Sequence, residues 1–364
     1  MLLFDSHLLA FAHFCIGLAL GSVLYRSDFC LAGILRDVFL FRDFSLLRPL
    51  LLAVVLTMFL FLLARLVWGL PLESSPTFGR ASLPGLVGGL VFGIGMVLAG
   101  GCIVSTLYKM GGGNLANAIS FLGIVGGSML YAEIHPFIRR VEHLSLFSRE
   151  VSLGQTWPLA GWLIVCASIP LFLLWQRQGK MVVSAAADAY LQPWRAAIVL
   201  AGLNLAACLA SGWPIGISTA YAKIGAFIEA LLVPGHVAQL EYFQTSSLVV
   251  QSGDTMLTGG AGPRIDLVFF SEMPLLVGII AGSFLTALYL REFRVYGLPP
   301  YRQGLAAFGG GLLVALGARL AGGCNVKYVL GGLPLLSYQA MLFVGGMVVG
   351  AWVGARLLPI IFFR

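Results

Sequence analysis

Residues Leu98-Ala99-Gly100-Gly101-Cys102 read LAGGC, and Leu320-Ala321-Gly322-Gly323-Cys324 read LAGGC again. Each copy sits late in a long apolar, glycine-rich stretch. The match runs outward at the same offset. Gly88-Gly89-Leu90 answers Gly310-Gly311-Leu312, Gly95 answers Gly317, and Val104 answers Val326. Further on, Gly126-Gly127 answers Gly345-Gly346 after a small change of length. A third cysteine, Cys30, follows Arg26-Ser27-Asp28-Phe29, and its weaker counterpart Gly212-Trp213-Pro214-Ile215-Gly216 breaks an apolar run without a thiol. Repeated segments interrupted at matching places mark chains whose two halves enclose a central site, often with the second half inverted.

The chain has 364 residues, of which 59% are hydrophobic and 10% charged, with a mean hydropathy of +0.95. A soluble domain is about a quarter charged. Nine apolar runs, near 8–24, 46–69, 83–99, 114–131, 158–175, 195–211, 271–290, 303–320 and 338–357, approach the roughly 20 residues that cross a bilayer core. Shorter pieces at 29–35, 103–110, 216–232 and 325–333 are expected to be half-helices that enter the membrane and turn back. Non-helical backbone at that depth persists only where protein buries it or it lines a cavity. The expected fold is therefore an all-α polytopic membrane protein. Its two pseudo-symmetric halves, 1–175 and 196–364, are joined by a linker over 176–195. The first apolar stretch lacks a basic n-region and a cleavage site, and reads as a retained helix.

The formal charge of +7 does not point to nucleic acid. Basic residues gather at segment ends, where the positive-inside rule places them in the cytoplasm. Arg177, Lys180 and Arg195 stand against Asp188 alone, and Arg291, Arg294 and Arg302 against Glu292, so both stretches read as cytoplasmic. The stretches 70–82, with Glu73 and Arg80, and 236–266, with Glu241, Asp254 and Asp266, read as external. The Arg36-Asp37 and Arg42-Asp43 doublets read as interfacial pairs, and Arg26 with Asp28 as a local pair beside Cys30. Six cysteines without CxxC, and five scattered histidines, predict neither a disulfide framework nor a metal site. No nucleotide-binding motif, proton-relay carboxylate or cofactor motif stands out, and no catalytic residue is assigned.

Two glycines at the end of an apolar helix permit a tight left-handed break. The helix that starts after each cysteine offers unpaired N–H groups and a positive dipole end, which together favour an anion. Gly100, Gly101, Gly322 and Gly323 keep that end open. Cys102 and Cys324 add a soft, polarisable sulfur. Neutral thiols suit an anion with an exposed terminal sulfur, since a thiolate would repel a dianion. Thiosulfate fits, with its oxygens on N–H groups and its outer sulfur on S–H groups. Lys327, three residues past Cys324, is a candidate path residue, because ionisable groups within a membrane are costly. Arg319 and Lys109 are weighed against snorkelling to the interface. Cys15, Cys166 and Cys208, in plain apolar runs, read as small buried hydrophobes.

These motifs resemble the YeeE/YedE family of bacterial inner-membrane sulfur transporters. The resemblance rests on Arg26 to Gly33 with Arg36-Asp37, on Gly93-Ile94-Gly95 leading into Leu98 to Cys102, on Arg291-Glu292-Phe293-Arg294-Val295, and on Gly317-Ala318 leading into Leu320 to Cys324. It implies an hourglass-like monomer in the inner membrane, with short helices that do not cross. It further implies that Cys30, Cys102 and Cys324 relay thiosulfate through S–H to sulfur contacts, from mouth to waist to exit. A small cytoplasmic sulfur carrier of the TusA type is the implied partner, and it is expected to be a separate protein rather than a fused domain. The chain departs from the family's usual pattern at Ile103-Val104 and at Asn325-Val326-Lys327-Tyr328. Two other readings stay open: a transporter of a selenium or other sulfur species, and a membrane sulfurtransferase holding a persulfide on Cys30.

Overall fold

The computed structural model describes residues 6–69, 77–148, 150–183, 189–246, 248–252, 255–295 and 297–363. Glu73, Asp188 and Asp254, used above to read the loops, lie outside the described residues. In chain order the helices are α1 (Ser6–Ser27), α2 (Leu31–Phe41), α3 (Leu47–Trp68), α4 (Leu83–Leu98), α5 (Ile103–Gly111), α6 (Leu115–Leu144), α7 (Leu153–Thr156), α8 (Ala160–Arg177), α9 (Pro193–Ser211), α10 (Ser218–Leu232), α11 (Pro234–Val237) and α12 (Glu241–Gln244). A hairpin of β1 (Leu248–Ser252) and β2 (Thr255–Gly259) follows, then α13 (Leu267–Tyr289), α14 (Tyr301–Ala321), a π-helix (Lys327–Gly332) and α15 (Tyr338–Phe363). Nine segments among the described residues are long and apolar enough to cross a bilayer. Large apolar side chains such as Phe11, Leu66, Leu163 and Leu231 are exposed on their outer faces. On a multi-pass membrane protein such a surface meets lipid rather than water.

Glycine explains how the long helices approach one another. A Cβ at Gly21 of α1 would fall 2.1 Å from the Ile279 carbonyl oxygen of α13, and one at Gly282 would fall 2.2 Å from that of Leu18. Small residues four apart let backbones touch, which is how helices gain packing in a solvent as apolar as themselves. The contacts also fix directions. Gly89 meets Phe343 and Gly93 meets Met347, so α4 and α15 run parallel; Gly123 meets Phe308 and Gly127 meets Leu312, so α6 and α14 do too. Gly88 meets Gly317 while Gly95 meets Gly310, so α4 and α14 run antiparallel.

The pairings come in matched sets. α1 packs on α13 and α9 on α3; α2 packs on α15 and α10 on α6; α5 packs on α13 and the π-helix on α3. Exchanging α1, α2, α3, α4, α5 and α6 for α9, α10, α13, α14, the π-helix and α15 returns most of the same neighbours; the packing of α10 on α13 and of α2 on α4 has no counterpart of similar extent. Both copies of LAGGC occupy equivalent places in this exchange, on helices of opposite direction.

The expected short pieces are all present as α2, α5, α10 and the segment 325–332. Two features exceed the sequence expectation. α6 continues through Pro136 to Leu144, and the polar stretch 236–266 folds into α11, α12 and the hairpin, paired from Leu248↔Gly259 to Ser252↔Thr255. Lys223 anchors that region: its Nζ donates to Gly262 O (3.0 Å), Arg264 O (2.8 Å) and Asp266 Oδ2 (2.9 Å). Asp266 in turn accepts from Phe269 N and caps α13.

The loops collect at two ends. One carries the hairpin and the bridges Ser82↔Leu146 and Ser152↔Ser337. The other is basic: Arg26 donates to Ala189 O and Arg48 to Lys180 O. Of the expected charge pairs, Arg36 and Asp37 do meet, at 2.9 Å. Asp43 instead accepts from Ser45 N, and Asp28 accepts from Tyr108 Oη at 3.0 Å rather than pairing with Arg26.

Candidate functional site

Each of the three singled-out cysteines directly precedes a short helix. Cys30 is the N-cap of α2 and Cys102 that of α5; Cys324 O accepts from Tyr328 N as the helix after it begins. All three are buried. The first glycine of each turn adopts the left-handed region, with φ of 69° at Gly100 and 79° at Gly322. A side chain there would be strained, so glycine is what lets the helix stop and restart. In both turns the first glycine is exposed while the second glycine and the cysteine are buried. Gly101 also has no room for a side chain, since its Cβ would lie 2.7 Å from Ser105 Oγ.

Ser105 organises the first turn. Its Oγ accepts from Cys102 N at 2.5 Å and lies 3.4 Å from Cys102 Sγ. The thiols of Cys30 and Cys102 face each other. Tyr221 of α10 is fully buried, and its Oη donates at 3.0 Å to the carbonyl of Ile103, the residue after Cys102. The starts of α2, α5, α10 and the helix after Cys324 therefore converge, so four positive dipole ends point at one waist.

Cavities flank this waist. A polar one opens toward the hairpin end and is lined by Gly322, Lys327, Arg319, Tyr242, Glu142 and Glu272 among others. Arg319, only 8% exposed, donates to Tyr242 Oη at 3.0 Å. A second, narrow cavity is mostly apolar and touches both turns, through Cys102 and Ser105 on one side and Asn325 on the other. The buried Asn325 Oδ1 has no hydrogen-bond partner among the described residues, and an orphaned buried amide is a place a ligand would satisfy.

The sequence reading passed over Tyr221, Ser105, Asn325 as a lining residue, and Asn204. Asn204 joins the two interruptions of the second half: its Nδ2 donates to Leu330 O at 2.6 Å and its Oδ1 accepts from Ile215 N at 2.9 Å. A polar residue inside an apolar run was the available signal for Asn204. Nothing in the chain signalled Tyr221, whose role depends on a contact across more than a hundred residues. Of the plain-run cysteines, Cys208 is buried as expected, but Cys15 and Cys166 are exposed on their helices.

One cluster lies away from the thiols. Glu133, Glu229 and His236 bring a ligand atom each to within 4.8 Å of one another, although Glu133 lies far from the other two in sequence. Both imidazole nitrogens are spent on carboxylates, Nδ1 at 2.5 Å from Glu229 Oε1 and Nε2 at 3.4 Å from Glu133 Oε1. That is the geometry of an imidazolium tie between α6, α10 and α11. The hydrogen bond to Glu229 raises the His236 pKa above the ordinary 6.5. A raised folded-state value means the tie stabilises fully below 6.5 and is lost as pH rises through the raised value. The melting temperature of wild type should thus exceed that of His236→Gln most at pH 6 or below, with the difference shrinking at alkaline pH in a detergent-solubilised thermal scan.

Comparison with known proteins agrees with the architecture. The chain matches the family described as Sulphur transport over residues 26–353. It is 26% identical to the thiosulfate transporter TsuA of Escherichia coli (strain K12), covering 94% of this chain and 92% of that protein. It is 29% identical to the thiosulfate transporter TsuA of Spirochaeta thermophila, covering 94% and 97%. A shorter match, 36% identical over 89 residues, links it to the probable transporter YedE of Salmonella typhimurium, of which it covers 22%. With nine membrane-length segments and a family match that runs from Arg26 to Val353, the chain belongs to the YeeE/YedE sulphur transport family.

Proposed function

We propose that this protein is a bacterial inner-membrane permease that takes up thiosulfate, and that it acts by transport without chemical conversion. The observation that carries this reading is the convergence on one cavity of the helix starts beside Cys324, Cys102 and Cys30. The thiosulfate transporters that match it over nearly their full length support the substrate. The positive-inside rule supports a cytoplasmic basic end and an external hairpin end. Entry at the hairpin end reverses the order that the resemblance implies: the substrate enters the polar cavity beside Lys327 and Arg319, meets Cys324, passes Tyr221, and reaches Cys102 and then Cys30. Its oxygens meet helix N-termini while its outer sulfur meets S–H groups. Conduction needs contacts firm enough to admit an ion and weak enough to release it, which successive thiols provide.

The matched neighbours support two inverted repeats, 1–175 and 196–364, joined by a cytoplasmic linker over 176–195. The exposed basic end suits an anionic face on a TusA-like sulfur carrier that takes thiosulfate away. Purified protein in liposomes should accumulate labelled thiosulfate, and unlabelled thiosulfate should compete better than sulfate or sulfite. Stronger competition by a selenium oxyanion or by sulfide would assign the path to that species instead. No uptake above empty liposomes would remove the permease reading.

A further inference from the structure

The two Gly-Gly-Cys turns share a feature that their sequences do not align. Lys327 stands three residues after its cysteine and Lys109 seven after its own. In the fold they do the same thing. Lys327 Nζ donates to Gly322 O at 2.7 Å, and Lys109 Nζ donates to Gly100 O at 3.1 Å. Each acceptor is the first, exposed, left-handed glycine of its turn. The pseudo-symmetric exchange that relates α5 to the π-helix thus also relates two ammonium groups placed by different registers.

A lysine held by a carbonyl keeps its charge, because the carbonyl is neutral, and an ammonium has three donors of which one carbonyl takes one. Arg319, Glu272 and Glu142 line the same cavity as Lys327, and Asp28 and Arg36 are the charged side chains near Lys109. Arg36 is already engaged by Asp37 at 2.9 Å, and Arg319 by the neutral Tyr242 hydroxyl at 3.0 Å. The hairpin-end cavity therefore sets two cations, Lys327 and Arg319, beside two carboxylates, Glu272 and Glu142. At the basic-end site, Lys109 faces Asp28 with little other positive charge to spare. Removing charge from water inside a membrane is costly, so two lysines kept at matching points of one path call for a ligand of opposite sign.

We propose that Lys327 and Lys109 are paired ligands for the oxygens of the transported sulfur dianion, one on each side of the waist. Each stays on its glycine carbonyl and turns its remaining donors to the anion. Lys327, backed by Arg319 at the polar cavity, loads the path. Lys109 holds the dianion only weakly because Asp28 repels it, and so favours release. The assignment rests on the thiosulfate-permease reading.

Right-side-out and inside-out vesicles containing the full-length protein separate the two sites. A charge-assisted hydrogen bond contributes about 1.5–3 kcal/mol, so losing one should raise KM about tenfold or more. Lys327→Met should do this for thiosulfate offered at the hairpin end, with Vmax and melting temperature near wild type. Lys109→Met should do it for thiosulfate offered at the basic end. Lys327→Arg and Lys109→Arg should restore most of the affinity. An unchanged KM in both vesicle types overturns the lysine roles. So does a loss of Vmax and melting temperature that is the same from either side, since that is the mark of a turn that has merely come apart. Both results leave the permease reading intact provided wild type moves thiosulfate; a wild type that moves none overturns both.

Discussion

Cys324→Ser and Cys102→Ser should each lower thiosulfate uptake by at least about tenfold, a loss of about 1.4 kcal/mol or more in the barrier, while leaving the protein as stable as before. The two effects have separate causes. Serine removes one soft, polarisable sulfur and supplies a harder oxygen that solvates the terminal sulfur of thiosulfate poorly. At the same time serine is a strong N-cap, worth about 0.5–2 kcal/mol over a residue that cannot cap. Cys102 holds the N-cap position of α5, so Cys102→Ser should, if anything, raise the melting temperature. Uptake and stability moving in opposite directions would identify the thiol as a path residue. Serine at Cys15 or Cys166, which are exposed on outer faces, should leave uptake unchanged. Full uptake by both path variants at normal expression would remove the thiol relay.

Gly350→Val and Gly89→Val should damage the fold more than any surface change of similar size. A Cβ at Gly350 would fall 2.0 Å from Leu90 O, and one at Gly89 would fall 2.1 Å from Phe343 O. Both obstacles are backbone oxygens of the facing helix, which no rotamer change can move. α4 and α15 would have to separate, and overpacking of this kind costs about 1–3 kcal/mol or more. α4 ends at the first Gly-Gly-Cys turn, so the separation should also displace Cys102. Size-exclusion chromatography and thermal melting in detergent should show aggregation or a clear drop in melting temperature. Gly345→Ala is the control, because its Cβ would meet nothing within 4 Å. Equal stability of Gly350→Val and Gly345→Ala would show that the α4–α15 contact is not close-packed.

The spans were readable because apolar length is a local property: the nine expected segments differ from the observed ones mainly at their ends, α6 excepted. The half-helices were readable for a related reason, since glycine and proline interrupt apolar runs where the chain must turn. The hairpin at Leu248–Gly259 was not, because a short polar stretch carries no bilayer-length signal. Arg26 and Asp28 illustrate a different failure. Two residues apart, they read as a pair, but Tyr108 Oη and Ala189 O offered better-placed partners from distant segments.

Local sequence was enough to read a helical, multi-pass membrane protein, the places where its helices break, and the thiols that stand at the breaks. Those properties follow from hydropathy and from the backbone freedom of glycine, and both act within a few residues. Long-range packing alone shows that α4 and α14 run antiparallel, that Tyr221 reaches the backbone beside Cys102, and that Lys109 and Lys327 donate to equivalent glycine carbonyls from unlike positions. Each of these depends on close approach between helices distant in sequence, which glycine permits but does not direct. Direction comes from which glycine meets which carbonyl once the bundle has closed.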